Sequence, residues 1–151
     1  MRILALDIGE KRTGIAVSDV DGKVAMPVKV LATAEVMAYS AAFRRVIEDF
    51  QPQLLLFGIP ITLSGEEGPQ AKRVRELAEG ISTHTDLPSE FFDERLSSVE
   101  AKRILRENGH SERSMRGKTD MIAASLLLQA YLEAHDASRS DADLHPRGPM
   151  E

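Results

Sequence analysis

Met1-Arg2-Ile3-Leu4-Ala5-Leu6-Asp7 is an apolar run that ends on a carboxylate, and beyond Ile8-Gly9-Glu10-Lys11-Arg12-Thr13-Gly14 a second run follows, Ile15-Ala16-Val17-Ser18. Two such runs around a glycine-framed turn read as a β-hairpin, with Gly9 and Gly14 at its shoulders. A carboxylate at the end of an otherwise buried strand is costly unless it is paired, hydrated or bound to metal. Glycine beside it also lets a phosphate or a metal-bound group approach the backbone closely. Asp7 therefore heads the candidate functional residues, and a plain surface aspartate closing a strand is the alternative.

Working outward, a third strand is expected at about 24–31, entered through an Asp21-Gly22 turn, and Pro27 within it marks a sheet edge. Residues 34–50 carry Val36, Ala42, Phe43, Val46, Ile47 and Phe50 near helical period. Gln53 to Ile59 is continuously apolar, as a strand buried on both faces should be. Pro60 to Gly68 is a loop, and Pro69 opens a helix with Val74, Leu77, Ala78 and Ile81 on one face. Glu90 to Asp93 is a brief strand. Ser97 with Glu100 forms a capping box for a helix that stops at Asn108-Gly109, and a last helix spans about 119–134. A meander followed by β-α units implies one α/β domain with a mixed sheet, residues 1–135. Residues 136–151 read as a flexible polar tail.

Composition narrows the classes. The chain has 151 residues, 42% of them hydrophobic and 28% charged, as expected of one globular domain with a real core. Without cysteine it forms neither disulfides nor thiolate zinc sites, which fits a reducing compartment. No apolar run nears the roughly 20 residues that span a bilayer, and no signal-peptide pattern opens the chain, so a cytoplasmic protein with no membrane partner is expected. Net charge is −5, yet Ser98 to Lys118 holds six bases (Lys102, Arg103, Arg106, Arg113, Arg116 and Lys118) against three acids, a local excess of three. Such a strip suits a polyanion gripped locally, and a solvated helix face is its plainer explanation.

Further acids fall where the topology makes them interesting. Ligands of such sheets bind beyond the carboxyl ends of the parallel strands. Asp7 ends the first strand, Asp93 and Glu94 end the last, and strand alternation allows only one of those two to meet Asp7 directly. Asp120 lies in the first turn of the final helix, where the helix dipole favours an anion. Carboxylates converging from three segments suit hard divalent cations, Mg²⁺ or Mn²⁺, and a pair of such ions is one way to hydrolyse a phosphodiester. The plainer readings are an N-terminal helix acid at Asp120 and an ion pair between Asp93 and Arg95.

Four ordered stretches then carry a family likeness. Leu4-Ala5-Leu6-Asp7-Ile8-Gly9 with Lys11-Arg12-Thr13-Gly14-Ile15-Ala16-Val17-Ser18-Asp19 resembles the opening of the YqgF/RuvX family. Gly58-Ile59-Pro60 with Ser64-Gly65-Glu66-Glu67-Gly68-Pro69-Gln70-Ala71 resembles its central loop. Asp93-Glu94-Arg95-Leu96-Ser97-Ser98-Val99-Glu100-Ala101 resembles its DERLTT-x-EA stretch, and Lys118-Thr119-Asp120 with Ile122-Ala123-Ala124-Ser125 its last acidic motif. The likeness spans residue 2 to about 134. It implies a ribonuclease H-like fold, a five-stranded mixed sheet ordered 3-2-1-4-5 flanked by helices. It implies metal-dependent phosphodiester hydrolysis by Asp7, Glu94 and Asp120, with Asp7 bridging two ions, Glu94 holding one, Asp120 holding or orienting the other, and Asp93 as a spare ligand. Junction resolvases of this superfamily end the fourth strand on an acid. Phe57-Gly58-Ile59-Pro60 has none, so the role passes to Glu94 on the neighbouring strand, about 4.8 Å away, unless Glu66 or Glu67 reaches in from the loop.

The partners implied are structured RNA, including the 5′ end of precursor 16S ribosomal RNA, and single-stranded or branched DNA. Lys11 and Arg12 would clamp phosphates at the rim, and Arg95, Lys102, Arg103, Arg106, Arg116 and Lys118 would extend the cationic track without reading sequence. Aromatics are only 5%, with no Trp, which argues for structure-selective binding over base stacking. No apolar stripe marks a strong interface, so a monomer or weak homodimer is expected. Two rivals stand beside the nuclease: an actin-like ATPase, which would need a second domain, and a nonenzymatic binding module of the transcription or ribosome-maturation machinery.

Overall fold

In the computed structural model, residues 1–62, 64–94 and 119–144 are described, with side chains in the last span from 122 to 135. Five strands form one sheet in the order β3-β2-β1-β4-β5, the order the resemblance implied. They are β1 (Ile3–Ile8), β2 (Arg12–Ser18), β3 (Ala25–Ala32), β4 (Leu54–Ile59) and β5 (Ser89–Asp93). β1 pairs antiparallel with β2 and β2 with β3, whereas β1–β4 and β4–β5 are parallel. Pro27 lies on the outer strand, beside a register shift against Ile15 and Ala16, where its missing N–H leaves no inner ladder bond unmade.

The central strands β1 and β4 are buried along nearly their whole length, because helices cover both faces. On one face Leu4, Leu6, Ile15, Val17, Leu55 and Phe57 pack with α1 (Thr33–Met37), α2 (Ala41–Phe50) and α3 (Pro69–Thr85), through Val36, Phe43, Val46, Val74, Ala78 and Ile81. On the other, Ile3, Ala5, Ala16, Leu54 and Leu56 meet Ala124, Leu127, Leu128, Tyr131 and Leu132 of α4 (Thr119–Leu144). Gln129, fully buried, fastens α4 to the β2–β3 hairpin. Its Oε1 accepts from the Ala25 N–H at 2.9 Å, and its Nε2 donates to the Lys23 carbonyl at 3.1 Å.

Two departures from the sequence reading have local causes. The helix expected over 34–50 is two helices, because Tyr39 adopts a left-handed conformation (φ 52°) and Ser40 then caps α2, accepting from the Phe43 N–H. The last helix continues past 134 to Leu144, since no glycine or proline interrupts the chain before Pro146. The capping-box helix expected from Ser97 lies outside the described residues.

Candidate active site

The parity of β1 decides which way its carboxylate faces. Ile3 and Ala5 point to α4, so Asp7, two residues on, stands on the same face. The turn beyond it is tight. The Gly9 N–H donates to the Arg12 carbonyl at 2.9 Å, and a Cβ on Gly9 would lie 2.7 Å from that oxygen, so only glycine fits. Gly14, at the far shoulder of the turn, lies within β2 and directly opposite Asp7. Thr33 holds the turn from outside. Its hydroxyl donates to the Gly9 carbonyl at 2.8 Å and accepts from Thr13 at 2.9 Å, while its N–H donates to the Lys11 carbonyl. Lys11 and Arg12 are thereby exposed at the end of the sheet where Asp7 lies.

Glu94 arrives at Asp7 from two strands away. Phe92 packs into the α4 side of the core and Phe91 packs toward α3, so alternation carries Glu94 to the Asp7 face and Asp93 to the other. The two carboxyl groups are hydrogen-bonded to each other. Burial, this bond with Asp7, and the charges of Asp7 and Asp93 together push the Glu94 carboxyl up to about 7 from 4.5. The pair therefore keeps a shared proton up to near neutral pH, with Glu94, when protonated, as the donor to Asp7. β4, the strand between them, presents Gly58. A Cβ there would lie 3.0 Å from Glu94 Cγ and Oε1 and 2.9 Å from Leu127 Cδ2. Glu94 thus spans the distance left by the missing fourth-strand acid, and it does so over a glycine.

The remaining expected residues divide by position. Asp120 is the second residue of α4, one turn before Ala124, which is buried against the sheet; its side chain lies outside the described residues. Glu67 is drawn away from the pair. It accepts two hydrogen bonds from Arg75, at 2.7 and 2.6 Å, and Arg75 lies over the Phe91 ring at 4.5 Å on the α3 side. Glu66 is exposed in the loop. Arg95, Lys102, Arg103, Arg106, Arg116 and Lys118 lie outside the described residues. Among the described residues no group of three acids or histidines gathers as a ready metal cage. Sequence reading passed over Gly58 and Thr33. A glycine inside the continuous apolar run Leu54–Ile59 was the available signal for the first, because in a buried strand it marks close approach by another group.

Two carboxylates in contact repel when both are ionised, and a divalent cation between them removes that repulsion. An all-oxygen donor pair of this kind fits Mg²⁺ or Mn²⁺. With helices on both faces, the 3-2-1-4-5 sheet and an acid pair at the carboxyl ends of β1 and β5 define the ribonuclease H-like class. The same fold is found in Thermus thermophilus RuvC, solved in complex with a Holliday junction substrate (TM-score 0.61, 14% identity, 91% of this chain and 97% of that one). It recurs in the fowlpox virus resolvase bound to junction DNA (TM-score 0.54, 14% identity, 89% and 98%).

Within that class the chain belongs to the RuvX Holliday junction resolvase family, whose model matches residues 1–134. A protein of Chloroflexus aurantiacus is 39% identical over 132 residues, 87% of this chain and 86% of its own length, and one of Anaeromyxobacter is 36% identical over 137 residues, 91% and 100%. Both carry the provisional name pre-16S rRNA nuclease.

Proposed function

We propose that the protein is a nuclease that hydrolyses phosphodiester bonds with the help of two Mg²⁺ or Mn²⁺ ions. The contact between Asp7 and Glu94 carries this reading, because two acids pressed together beside an exposed basic turn bind both cations and phosphates. Asp7, Glu94 and Asp120 would hold the ions, with Asp93 contributing charge from the neighbouring position. Bound there, the ions supply Lewis-acid polarisation of the scissile phosphate. Glu94 would give up its shared proton on metal binding, so that Asp7 and Glu94 would serve as a pair of anionic ligands. Lys11 and Arg12 hold phosphates at the rim, and Arg95, Lys102, Arg103, Arg106, Arg116 and Lys118 extend that grip along the strand.

The relatives' name supports precursor 16S ribosomal RNA as substrate, and the family description supports branched DNA. Among the described residues no helix is long and apolar enough to cross a membrane. We infer action in the cytoplasm by a monomer or weak homodimer. The test is cleavage of labelled single-stranded RNA, single-stranded DNA and a four-way junction with either ion, by the wild type and Asp7→Asn. Metal-dependent cutting by the wild type, abolished in Asp7→Asn, is expected. Binding without cutting by both proteins would replace the nuclease with a binding module.

A further inference from the structure

We propose that Gly58 is a positioning residue: its missing side chain opens a passage across β4 through which Glu94, rooted beyond β5, reaches Asp7 on β1. The inference rests on the reading of Asp7 and Glu94 as ligands of a divalent ion.

The sheet register supplies the geometry. β1 and β4 run in parallel with Ile3 beside Leu54, Ala5 beside Leu56 and Leu6 beside Phe57, so the next step puts Asp7 beside Gly58. On its other side Gly58 pairs with Phe92 of β5. Asp7 also faces Gly14 across β2, so its partners on both adjoining strands lack side chains. In the two preceding rows of this face, Leu54 and Leu56 fill the space between sheet and helix. At position 58 the filling stops, and the Glu94 side chain lies in the vacated space.

Backbone conformation does not demand the glycine. Among the described residues the glycines with positive φ are Gly22 and Gly65, so any L-residue can adopt the backbone at 58. Space is what is at stake, and two groups compete for it. One is Glu94, with Cγ and Oε1 each 3.0 Å from a Cβ at 58; the other is Leu127 of α4, with Cδ2 at 2.9 Å. If Gly58 serves only the approach of α4, a larger residue there destabilises the fold and weakens the site equally with or without Glu94. If it serves Glu94, the effect on metal binding vanishes once Glu94 is gone.

The measurement is Mn²⁺ binding by titration calorimetry, with metal-free Tm alongside, for the wild type and for Asp7→Asn, Gly58→Ala, Gly58→Val, Glu94→Ala, Gly58→Val/Glu94→Ala and Gly58→Asp/Glu94→Ala. We expect Gly58→Val to weaken Mn²⁺ binding by about 10–100-fold, as loss of a supporting group around a metal commonly does. Gly58→Ala should weaken it less, because Glu94 then needs to shift only slightly. The Gly58→Val/Glu94→Ala protein should bind no more weakly than Glu94→Ala. Gly58→Asp/Glu94→Ala, which roots a carboxylate beside Asp7, should bind more tightly than Glu94→Ala. Wild-type affinity in Gly58→Val overturns the proposal, and so does a Gly58→Val loss that recurs in full on top of Glu94→Ala. Should Gly58→Val lower Tm until it is unfolded at the working temperature, Gly58→Ala and the transposed acid decide the matter. A wild type that binds no Mn²⁺ overturns the metal-centre reading along with it, whereas loss in Asp7→Asn with none in Gly58→Val overturns the positioning role alone.

Discussion

Glu94→Gln should make the metal-free protein more stable at pH 8, by a margin that shrinks steadily toward pH 5. In the folded state the Glu94 carboxyl titrates at about 7, against 4.5 for an ordinary glutamate. Between these values the folded protein keeps a proton that the unfolded chain has released, so raising the pH favours unfolding. Stability is then highest below about pH 4.5 as far as this group is concerned, falls through the interval, and levels off above about 7. At 1.36 kcal/mol per pH unit the full interval corresponds to about 3 kcal/mol. The carboxyl is only half-buried, and solvent screening reduces the expected effect to about 1–2 kcal/mol. Glutamine keeps an N–H donor for Asp7 and has no proton to lose, so its contribution is flat. Urea denaturation in EDTA at pH 5, 6, 7 and 8 measures the difference between the two proteins. A difference that grows by about 1–2 kcal/mol toward pH 8 supports the reasoning. Parallel stability profiles would refute it, because Glu94 would then titrate alike in the folded and unfolded states.

The same proton sets the pH dependence of metal binding. Mn²⁺ affinity should rise by up to about tenfold per pH unit below 7 and flatten above it, and calorimetry between pH 5.5 and 8.5 giving a level profile would count against a shared proton at the pair. Gln129→Leu removes the acceptor of the buried Ala25 N–H and should destabilise the fold by about 1–3 kcal/mol, read from denaturant midpoints. Glu67→Ala should leave Mn²⁺ affinity unchanged, because Glu67 is engaged with Arg75 beside Phe91 on the opposite face; weaker binding would show that the loop acid reaches the site after all.

Much of the fold was legible because its signals are local. The continuous apolar runs at Ile3–Leu6 and Leu54–Ile59 announce strands buried on both faces, and Pro27 announces an edge. The break at Tyr39 was hidden, because a non-glycine residue with positive φ leaves no mark in periodicity. Asp7 was legible as an anomaly of burial. The choice between Asp93 and Glu94 was not, because alternation tells inside from outside only when one face is polar. Here Phe91 and Phe92 are both apolar and pack on opposite sides of the sheet. The reach of Glu94 over β4 was illegible for another reason: it depends on which strands become neighbours, and the resemblance supplied that order where periodicity did not.

The sheet order also fixes when the acid pair comes into being. Ribosomes release a chain from its N-terminus, so the β1–β2–β3 meander is complete while most of the protein is still to be made. Asp7 is then present, but its partner arrives only after β4 and β5 have been added in parallel, and Gln129 closes the far side of the sheet across 104 residues of sequence. Pairings of that range form slowly and together. A nascent or prematurely ended chain therefore carries half an acid pair and no place to assemble the rest. The complete acid pair is withheld until β4 and β5 have joined the sheet.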